Sequence, residues 1–535
     1  MRFFCAVILF FTCAIAYCDI DKNKVFVVAN NKKAESISLA KKYAQMREIP
    51  ENNIICADFP TKETITKDDY ENLFLKPLLS ELEKKGAVKF IEENPTPLSF
   101  DIDFLVLCKG IPLKIQAEKT EKKSYSPSID SVLSSTFLQK KEKTSALKNP
   151  LYENANPNLF KSFGVLRIAR IDGHSYEDVH TYLDNTIYAE MHGTRGRAYI
   201  DKSYYVLKKN TILDEAEQIL TDLGYDISVN TSNGLFSFHE RFDSPVFYFG
   251  WYADTPKQYA KDDFPLAKGA IAAHIYSYSA DTLANLRRWC PKLLSKGACA
   301  TIGNVDEPFL ALSHNFDKFM KALSLGFSAG EASYYSTRVL HWQTIFIGDP
   351  LYKPFKYSFE NQLADLEKSQ DNLSQYVVIR KMNLLFKEGS IEKAIAFGEK
   401  HVDTLPLAPA LLWKLSELYQ KSNNQKSAID YAVKAGVAAS GNLDYDGLIF
   451  EISKFLSNNL DNTAYPIRFC EAIIERRFAD EAFLRSILPI AKDYAQKANN
   501  HSLAKKYSEK LNEFARIDAE AKPAKQKEDE AKKSK

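Results

Sequence analysis

Residues 269–283, GAIAAHIYSYSADTL, decide the fold of this chain. The apolar run from Ala270 to Tyr276 predicts a buried β-strand, and the polar run 277–281 predicts the carboxyl end of that strand. An amphipathic helix is predicted from Thr282 onward. Ligands of open α/β sheets bind outside the carboxyl ends of the strands, so we expect a site at this polar run.

Two flanking stretches have the same form. Residues 244–254, SPVFYFGWYAD, predict a strand that ends in an aromatic turn. Residues 296–310, KGACATIGNVDEPFL, predict a strand that ends in Asn304, Asp306 and Glu307. Three consecutive strand ends are therefore expected to point polar and aromatic side chains at one edge of a sheet. Further out, apolar strands alternate with helices, which predicts an α/β domain with a mostly parallel sheet covered by helices on both faces.

The rest of the chain divides by composition. An all-α region follows the α/β domain, and in it Ala394 aligns with Ala428 at an offset of 34 residues (428 − 394), the period of tetratricopeptide helix pairs. Such pairs predict a module that binds a polypeptide partner. The predicted parts are a leader (1–16), the α/β domain (17–358), a polar linker (359–375), the helical repeats (376–515) and a disordered charged tail (516–535).

The leader has the features of a secretory signal. Arg2 precedes an apolar run, and Ala14 and Ala16 form an A-x-A cleavage site, so we expect export to the periplasm, the cell envelope or the medium. Lipidation of Cys18 is an alternative, although the bulky Tyr17 stands where a lipoprotein signal needs a small residue. No later segment has the roughly 18 apolar residues of a membrane span. We therefore expect no transmembrane anchor after cleavage.

Charge and cysteine content narrow the function classes. The formal charge is only +2, from 71 basic and 69 acidic residues, so no overall field favours nucleic acid. The spacing of the cysteines predicts neither a disulfide framework nor a zinc site, and we expect no cofactor. Pairing of Cys290 with Cys299 stays open beside two buried thiols. Motifs for lipases, zincins, P-loop enzymes and dinucleotide-binding enzymes are absent from the sequence.

Several segments together resemble a known family. In order they are VFVVAN, LVLCKGIPL, RIARIDG, FYFGWYAD, GAIAAHIYSYSADTL, GACATIGNVDEPFL and IGDPLYKPF, within residues 25–355. They resemble an uncharacterised family of exported bacterial proteins from genomes with exosortase sorting systems, which implies no established activity. More distantly, the layout resembles gingipain and caspase peptidases, which place a base His in a GHG turn and a nucleophilic Cys at the next strand end. Trp251 and Ser277 stand in those regions here, so this dyad is missing.

A substitute catalytic set is one hypothesis for the strand ends. His274, a hydroxyl from Ser277 or Ser279, and the carboxylate of Glu307 supply a base, a nucleophile and an orienting group. The alternatives are a buried core histidine and a serine that caps the predicted helix. This set would make the protein a hydrolase of peptide or ester bonds.

Binding is the other hypothesis. Trp251 and Tyr252 are a candidate aromatic platform for a peptide or a sugar, beside Asn304 and Asp306. Other candidates have structural alternatives: Arg170 and Asp172 bind a carboxylate or form a buried ion pair, and Asp349 faces the same edge or caps a turn. The missing dyad and the helical repeats favour a recognition or scaffold protein over the hydrolase.

Overall fold

A computed structural model gives the fold. It describes residues 20–533 except 91–96, 118–124, 139–145, 203–211, 233, 238, 254, 257–264, 369–370, 406 and 461–462. The leader, with its expected cleavage site and Cys18, lies outside the described residues. Among the described helices, none has the length and apolar character needed to cross a membrane.

The described β-structure has sixteen strands, ten of them in one central sheet. The strands are β1 (Val25–Asn30), β2 (Ile54–Ala57), β3 (Thr64–Ile65), β4 (Val88–Phe90), β5 (Pro97–Phe100), β6 (Phe104–Cys108), β7 (Lys114–Ile115), β8 (Leu147–Lys148), β9 (Ile168–Ile171), β10 (Arg197–Asp201), β11 (Ile227–Asn230), β12 (Pro245–Trp251), β13 (Ile271–Ile275), β14 (Ala300–Asn304), β15 (Val339–Leu340) and β16 (Thr344–Gly348).

Helices cover the sheet and then form the carboxyl-terminal part of the chain. They are α1 (Ala34–Arg47), α2 (Lys67–Asp69), α3 (Lys76–Lys84), α4 (Ile129–Ser134), α5 (Tyr176–His192), α6 (Ile212–Asp222), α7 (Trp289–Ser295), α8 (Phe316–Ser324), α9 (Ala329–Ser336), α10 (Phe359–Ala364), α11 (Ser374–Lys387), α12 (Ile391–Val402), α13 (Pro409–Lys421), α14 (Gln425–Ala439), α15 (Asp446–Asn459), α16 (Ala464–Arg476), α17 (Glu481–Lys497) and α18 (His501–Lys533).

The central sheet is mostly parallel, as its apolar strands predict. Its spatial order is β11-β10-β12-β13-β14-β16-β9-β6-β1-β2. In β1, Val25 and Val27 join the hydrophobic core on one face, and Phe26 and Val28 join the core on the other. Side chains alternate along a strand, so a strand buried on both faces must be apolar at every position. This double burial explains the continuous apolar runs of the sequence.

The three strand ends singled out in the sequence lie side by side. Strand β12 pairs in parallel with β13, Gly250 opposite His274, and β13 pairs in parallel with β14. Their carboxyl ends therefore meet at one edge. Strand β16 runs antiparallel to β14, with Gly348 opposite Ala300, so Asp349 lies where β14 begins. The expectation that Asp349 faces the same edge is wrong, because the direction of β16 is reversed.

The helix expected from Thr282 is absent, and turns lead instead to α7, which begins at Trp289. The amide of Leu283 and the hydroxyl of Thr282 both donate to the carboxylate of Glu63, at 2.9 and 2.5 Å. Asp281 pairs with Arg288 at 2.8 Å. These bonds tie residues 281–283 to Glu63 and to Arg288 in the turns that lead to α7. The predicted role of Ser279 or Asp281 as a helix cap at Thr282 is therefore wrong.

Two further boundaries differ from the prediction. The expected linker contains α10 and the first residues of α11. The expected disordered tail belongs to α18, which continues to Lys533. Alanine, lysine and glutamate dominate that tail, and all three have high helix propensity, so a composition typical of disorder also permits a helix.

The carboxyl-terminal region is helical, as expected. Short turns join α11 to α12, α13 to α14, and the helices that follow. The second helices of the first two pairs begin at Ile391 and Gln425, 34 residues apart (425 − 391). The two aligned alanines, Ala394 and Ala428, are both fully buried. The offset in the sequence thus corresponds to equivalent buried positions in successive helix pairs.

The first helices of these pairs pack on the α/β domain. In α11, Nε of Arg380 donates to the backbone carbonyl of Leu223, just after α6, at 2.6 Å. In α13, Lys414 bonds to Asp226 at 2.8 Å. In α15, Gly447 approaches the backbone of Glu240 so closely that a Cβ there would lie 2.2 Å from its oxygen. The α/β domain therefore covers this face of the helical region.

The cysteines of the described residues are all free thiols. Cys290 in α7 and Cys299 before β14 are both buried and unpaired with each other, so the disulfide alternative is wrong. Burial in apolar surroundings raises the pKa of both thiols to about 12. They are therefore neutral packing groups rather than nucleophiles.

Candidate functional site

His274 lies in β13, inside the central sheet, and β12 separates β13 from β10. Its Nε2 accepts the amide hydrogen of Ala253 at 3.0 Å, and its Nδ1 lies 3.0 Å from the hydroxyl of Tyr248. Tyr248 in turn donates to a carboxylate oxygen of Asp201 at 2.9 Å. Because Nε2 is an acceptor, the ring proton is assigned to Nδ1. His274 is 2% exposed, and both of its ring nitrogens are occupied.

The neutral state of this ring follows from its surroundings. The indole of Trp289 stacks on the imidazole with ring centroids 3.7 Å apart and planes at 6°. Burial lowers the pKa of His274 well below its usual value, because the charged ring would lose its hydration. The imidazole therefore stays neutral near pH 7 and continues to accept the hydrogen bond from Ala253.

The same two rings hold both backbone groups of Ala253. Trp289 donates from Nε1 to the carbonyl of Ala253 at 2.7 Å, while His274 accepts from its amide. We call this pair of contacts the Ala253 clasp. The sequence permits it through Gly250, where a Cβ would lie only 2.3 Å from Nδ1 of His274. A glycine before Trp251 is therefore needed for the histidine to fit beneath the turn.

The clasp holds a turn that presents aromatic side chains at the edge. Tyr252 is 55% exposed, and Trp251 before it is half-buried against the core. The ring of Tyr276, from the end of β13, lies 4.9 Å from that of Tyr252. Tyr278, two residues further on, is 37% exposed. We call these four residues, Trp251, Tyr252, Tyr276 and Tyr278, the aromatic rim.

A second aromatic group adjoins the rim through Asp306. The backbone oxygen of Asp306 accepts the amide of Tyr278 at 3.1 Å, and its carboxylate accepts the amide of Ser126 at 2.7 Å. Beside Ser126, the ring of Tyr125 packs 5.7 Å from that of the exposed Phe309. Sequence reasoning missed Tyr125 and Phe309. The available signal was an apolar pair, Phe309 and Leu310, directly after the acidic strand end.

The candidate nucleophiles differ in their access to solvent. Ser279 is 1% exposed, and its Oγ accepts the amide of Asn304 at 3.0 Å. Ser277, which lies between Tyr276 and Tyr278 in the chain, is half-buried, and Glu307 is exposed. His274 is covered by Trp289, so no free ring nitrogen faces these groups. The three expected groups thus lie on neighbouring strands, but the ring nitrogens of His274 are both engaged and cannot act as a base for either serine.

Asn304 and Asp306 tie the strand ends together. The side-chain amide of Asn304 donates to the carbonyl of Tyr276 at 3.4 Å, and within the described chain its oxygen has no hydrogen-bond partner. Burial, together with the carboxylates of Asp306 and Glu307, raises the pKa of Tyr278. The Tyr278 phenol is therefore neutral, and the polar groups at this end of β14 mainly accept hydrogen bonds.

Arg170 and Asp172 form a buried ion pair. The guanidinium of Arg170 lies 2.8 Å from Asp130 and 3.3 Å from Asp172, and it also donates to the carbonyls of Ile111 and Pro112. All these partners belong to the protein itself. Of the two alternatives for Arg170 and Asp172, the structure shows the buried ion pair.

Asp349 also has structural partners. Its carboxylate accepts from Arg47 at 2.6 Å, from Tyr43 at 2.8 Å and from the amide of Leu351 at 2.9 Å. The last bond caps the turn after β16, as the structural alternative expected, and the other two tie that turn to α1. Asp349 thus holds the opposite edge of the sheet together.

Comparison of the chain with known protein families, curated proteins and solved structures finds no match. The interactions that the rim can make are therefore derived from its own side chains. Exposed rings offer apolar faces and phenol hydroxyls, and the adjoining carboxylates and amide oxygen accept hydrogen bonds. These groups suit binding by stacking and hydrogen bonding.

Proposed function

We propose that this chain is an exported recognition protein whose aromatic rim binds a segment of polypeptide. The observation that carries the proposal is the Ala253 clasp, which holds a turn with an exposed tyrosine in place. Tyrosine and tryptophan are enriched among the residues that dominate protein–protein binding energy. A turn held in its binding conformation loses little entropy when a ligand arrives.

The environment of His274 supports binding rather than hydrolysis. A serine nucleophile needs a base with a free ring nitrogen within hydrogen-bond reach. Both nitrogens of His274 are engaged, and the hydroxyl of Ser279 is buried against Asn304. The positions of the gingipain dyad hold Trp251 and Ser277, which removes the other source of a catalytic pair.

The helical region has two parts in this proposal. Its first helices brace the α/β domain, because Lys414 and Gly447 pack against that domain. The second helices, α12, α14 and α16, lie outside the junction contacts described above. The proposed polypeptide partner of the helical region therefore binds at the second helices rather than in the covered face.

A selection experiment tests the rim. A random peptide library is selected on the full chain, and the enriched peptides are measured against Tyr252→Ala and against the control Met191→Ala, an exposed apolar residue of α5 outside both proposed binding surfaces. For peptides that bind the rim, we expect Y252A to weaken binding about tenfold or more, as for an aromatic hot spot, and M191A to leave it unchanged. If no enriched peptide binds Y252A more weakly than the unmodified chain, the rim is not a peptide-binding site.

Two parallel measurements separate the other hypotheses. A serine-directed fluorophosphonate is expected to leave the protein unlabelled, and labelling at Ser277 or Ser279 would instead establish the hydrolase. A glycan array is expected to show no ligand that depends on Tyr252. If sugars bind and peptides do not, the rim remains a binding site but the polypeptide assignment is wrong.

A further inference from the structure

A cavity of about 700 Å³ opens on the α/β domain beside the small sheet formed by β8 and β15. It shares no residue with the aromatic rim. Two cationic side chains, one tyrosine and three apolar residues line it together with Asn149: they are Lys148, Arg338, Tyr152, Leu138, Pro150 and Phe163. We call this the basic cavity. Its volume is within the range of small-molecule sites.

The frame of the basic cavity is preformed. Asn149 is 1% exposed, and its side-chain amide donates to the carbonyls of Tyr334 and Thr337 at 2.8 and 2.7 Å. Its side-chain oxygen accepts the amide of Leu151 at 2.9 Å. These bonds join the loop after β8 to the end of α9. The two elements that carry the cationic side chains are therefore held together before any ligand binds.

The two cations are placed on this frame by strand pairing and by a contact with the Tyr152 ring. Lys148 pairs with Val339 in the small sheet, next to Arg338. The guanidinium of Arg338 lies 5.2 Å from the centre of the Tyr152 ring, and the Tyr152 hydroxyl is held by Asn315 at 2.9 Å. Arg338 also hydrogen-bonds to the side chain of Tyr152, and because a guanidinium has five N–H donors, others remain for an anion.

The charge of the basic cavity is not neutralised within the described chain. No carboxylate is among its described lining residues, and neither Arg338 nor Lys148 forms an ion pair with a described residue. Glu153, next to Tyr152 in the sequence, is engaged by Lys318 at 3.2 Å. The polar groups facing the cavity are mainly hydrogen-bond donors with positive charge.

We propose that the basic cavity binds an anionic amphiphile, a carboxylate or phosphate monoester attached to an apolar body. The fork of N–H groups on Arg338 matches the paired oxygens of either anion, and Lys148 adds a second charge. The apolar body packs on Leu138, Pro150 and Phe163, the last of which is 38% exposed without a ligand. Burial of these apolar surfaces adds affinity that an inorganic anion lacks.

Calorimetric titration of the full chain tests this site with decyl phosphate as the probe. We expect one saturable site, and about tenfold weaker binding in Arg338→Gln and in Lys148→Gln, because each loses one charge-assisted contact. Arg338→Lys keeps the positive charge but loses the paired N–H groups, so its affinity for decyl phosphate is expected to lie between those of the unmodified chain and R338Q. Arg468→Gln, at an exposed position of α16, is the control for the charge change and should bind as the unmodified chain does.

Further probes decide the contribution of each part and the source of the ligand. Inorganic phosphate and neutral decanol are each expected to bind at least about tenfold more weakly than decyl phosphate. Vesicles containing phosphatidylglycerol that bind the chain but not R338Q would identify a lipid headgroup, and decyl phosphate binding without vesicle binding would identify a soluble amphiphile. The proposal is overturned by no saturable binding, by equal binding in R338Q, K148Q and the unmodified chain, or by inorganic phosphate binding as tightly as decyl phosphate.

Discussion

At the scale of single residues, the imidazole of His274 acts as a hydrogen-bond acceptor for the backbone of Ala253. Only the neutral ring can do this, because a protonated imidazole is a donor at both nitrogens and would oppose the amide N–H. Trp289 covers the ring and holds the other backbone group of Ala253. The turn that carries Trp251 and Tyr252 is therefore stable only while His274 is neutral.

This neutrality predicts a pH dependence of stability. Burial holds the pKa of folded His274 well below the unfolded value of 6.5, so the unfolded chain binds a proton that the folded chain excludes. The stability is present above pH 6.5 and is lost as the pH falls toward the folded pKa. For one such histidine the loss between pH 7.5 and pH 5 is about 2 kcal/mol.

The test compares urea unfolding at pH 7.5 and pH 5 for the unmodified chain and His274→Gln. Glutamine keeps an acceptor near the position of Nε2 and does not titrate, so the acid-induced loss should shrink by about 2 kcal/mol. His501→Gln, at an exposed position in α18, is the control. Equal acid-induced losses in H274Q and in the unmodified chain would show that His274 is not a neutral acceptor in the folded state.

At the scale of elements, the segment 276–288 forms turns where a helix was expected. Its backbone amides donate hydrogen bonds to residues that are distant in the sequence. Its turns are tied to Glu63, which follows β2, and to Asp306, which follows β14. The helix pairs of the carboxyl-terminal region are the opposite case. They are joined by short turns, and each second helix packs through small residues such as Ala394 and Ala428.

This close packing predicts the effect of a larger side chain. Ala428→Leu adds three carbons at a fully buried position, which should overpack the helices and lower the free energy of unfolding by about 1 to 3 kcal/mol. Ala396→Leu, at an exposed position of α12, should change stability by less than about 0.5 kcal/mol. Urea titration followed by circular dichroism measures both. Equal effects would mean that the space around Ala428 is not tightly packed.

At the scale of the whole molecule, a buried charge cluster joins the helical region to the α/β domain. Asp226 accepts from Lys414 of α13 at 2.8 Å and from Arg197 of β10 at 2.7 Å, with Arg241 at 3.8 Å. Burial alone would raise the pKa of Asp226, but Lys414, Arg197 and Arg241 outweigh it and hold the pKa well below its usual range. One carboxylate therefore compensates cations from both parts of the chain.

The central place of Asp226 predicts that the junction depends on its charge. Asp226→Asn leaves these cations buried without that carboxylate and should destabilise the junction by about 3 to 5 kcal/mol. Asp222→Asn removes the same charge from an exposed pair with Lys387 at the same junction, where the expected cost is below about 1 kcal/mol. Calorimetry should show the two parts melting separately in D226N alone. A single transition in both variants would assign the junction to apolar packing.

The sequence by itself determined the elements whose signals are local. Strands β12 and β13 are continuous apolar runs because they are buried on both faces. In the carboxyl-terminal region, the helical spacing of apolar residues is visible within each segment of the sequence. The ends of β12, β13 and β14 were expected at one edge because parallel strands align their carboxyl ends, and they lie there. The meeting of Trp251 and Tyr252 with Asn304 and Asp306 at one edge was therefore predictable from the order of the strands, whereas Tyr276 and Tyr278 were not among the predicted site residues.

Only the tertiary structure decided what those residues do. No local pattern shows that the amide of Leu283 bonds to Glu63, 220 residues earlier, or that β16 runs antiparallel and carries Asp349 to the opposite edge. The sequence leaves both a catalytic base and a core residue open for His274, and the stacking of Trp289 on its ring shows the core residue. The physical reason is that burial and hydrogen bonding depend on residues brought together by folding, whereas sequence patterns record only neighbours along the chain.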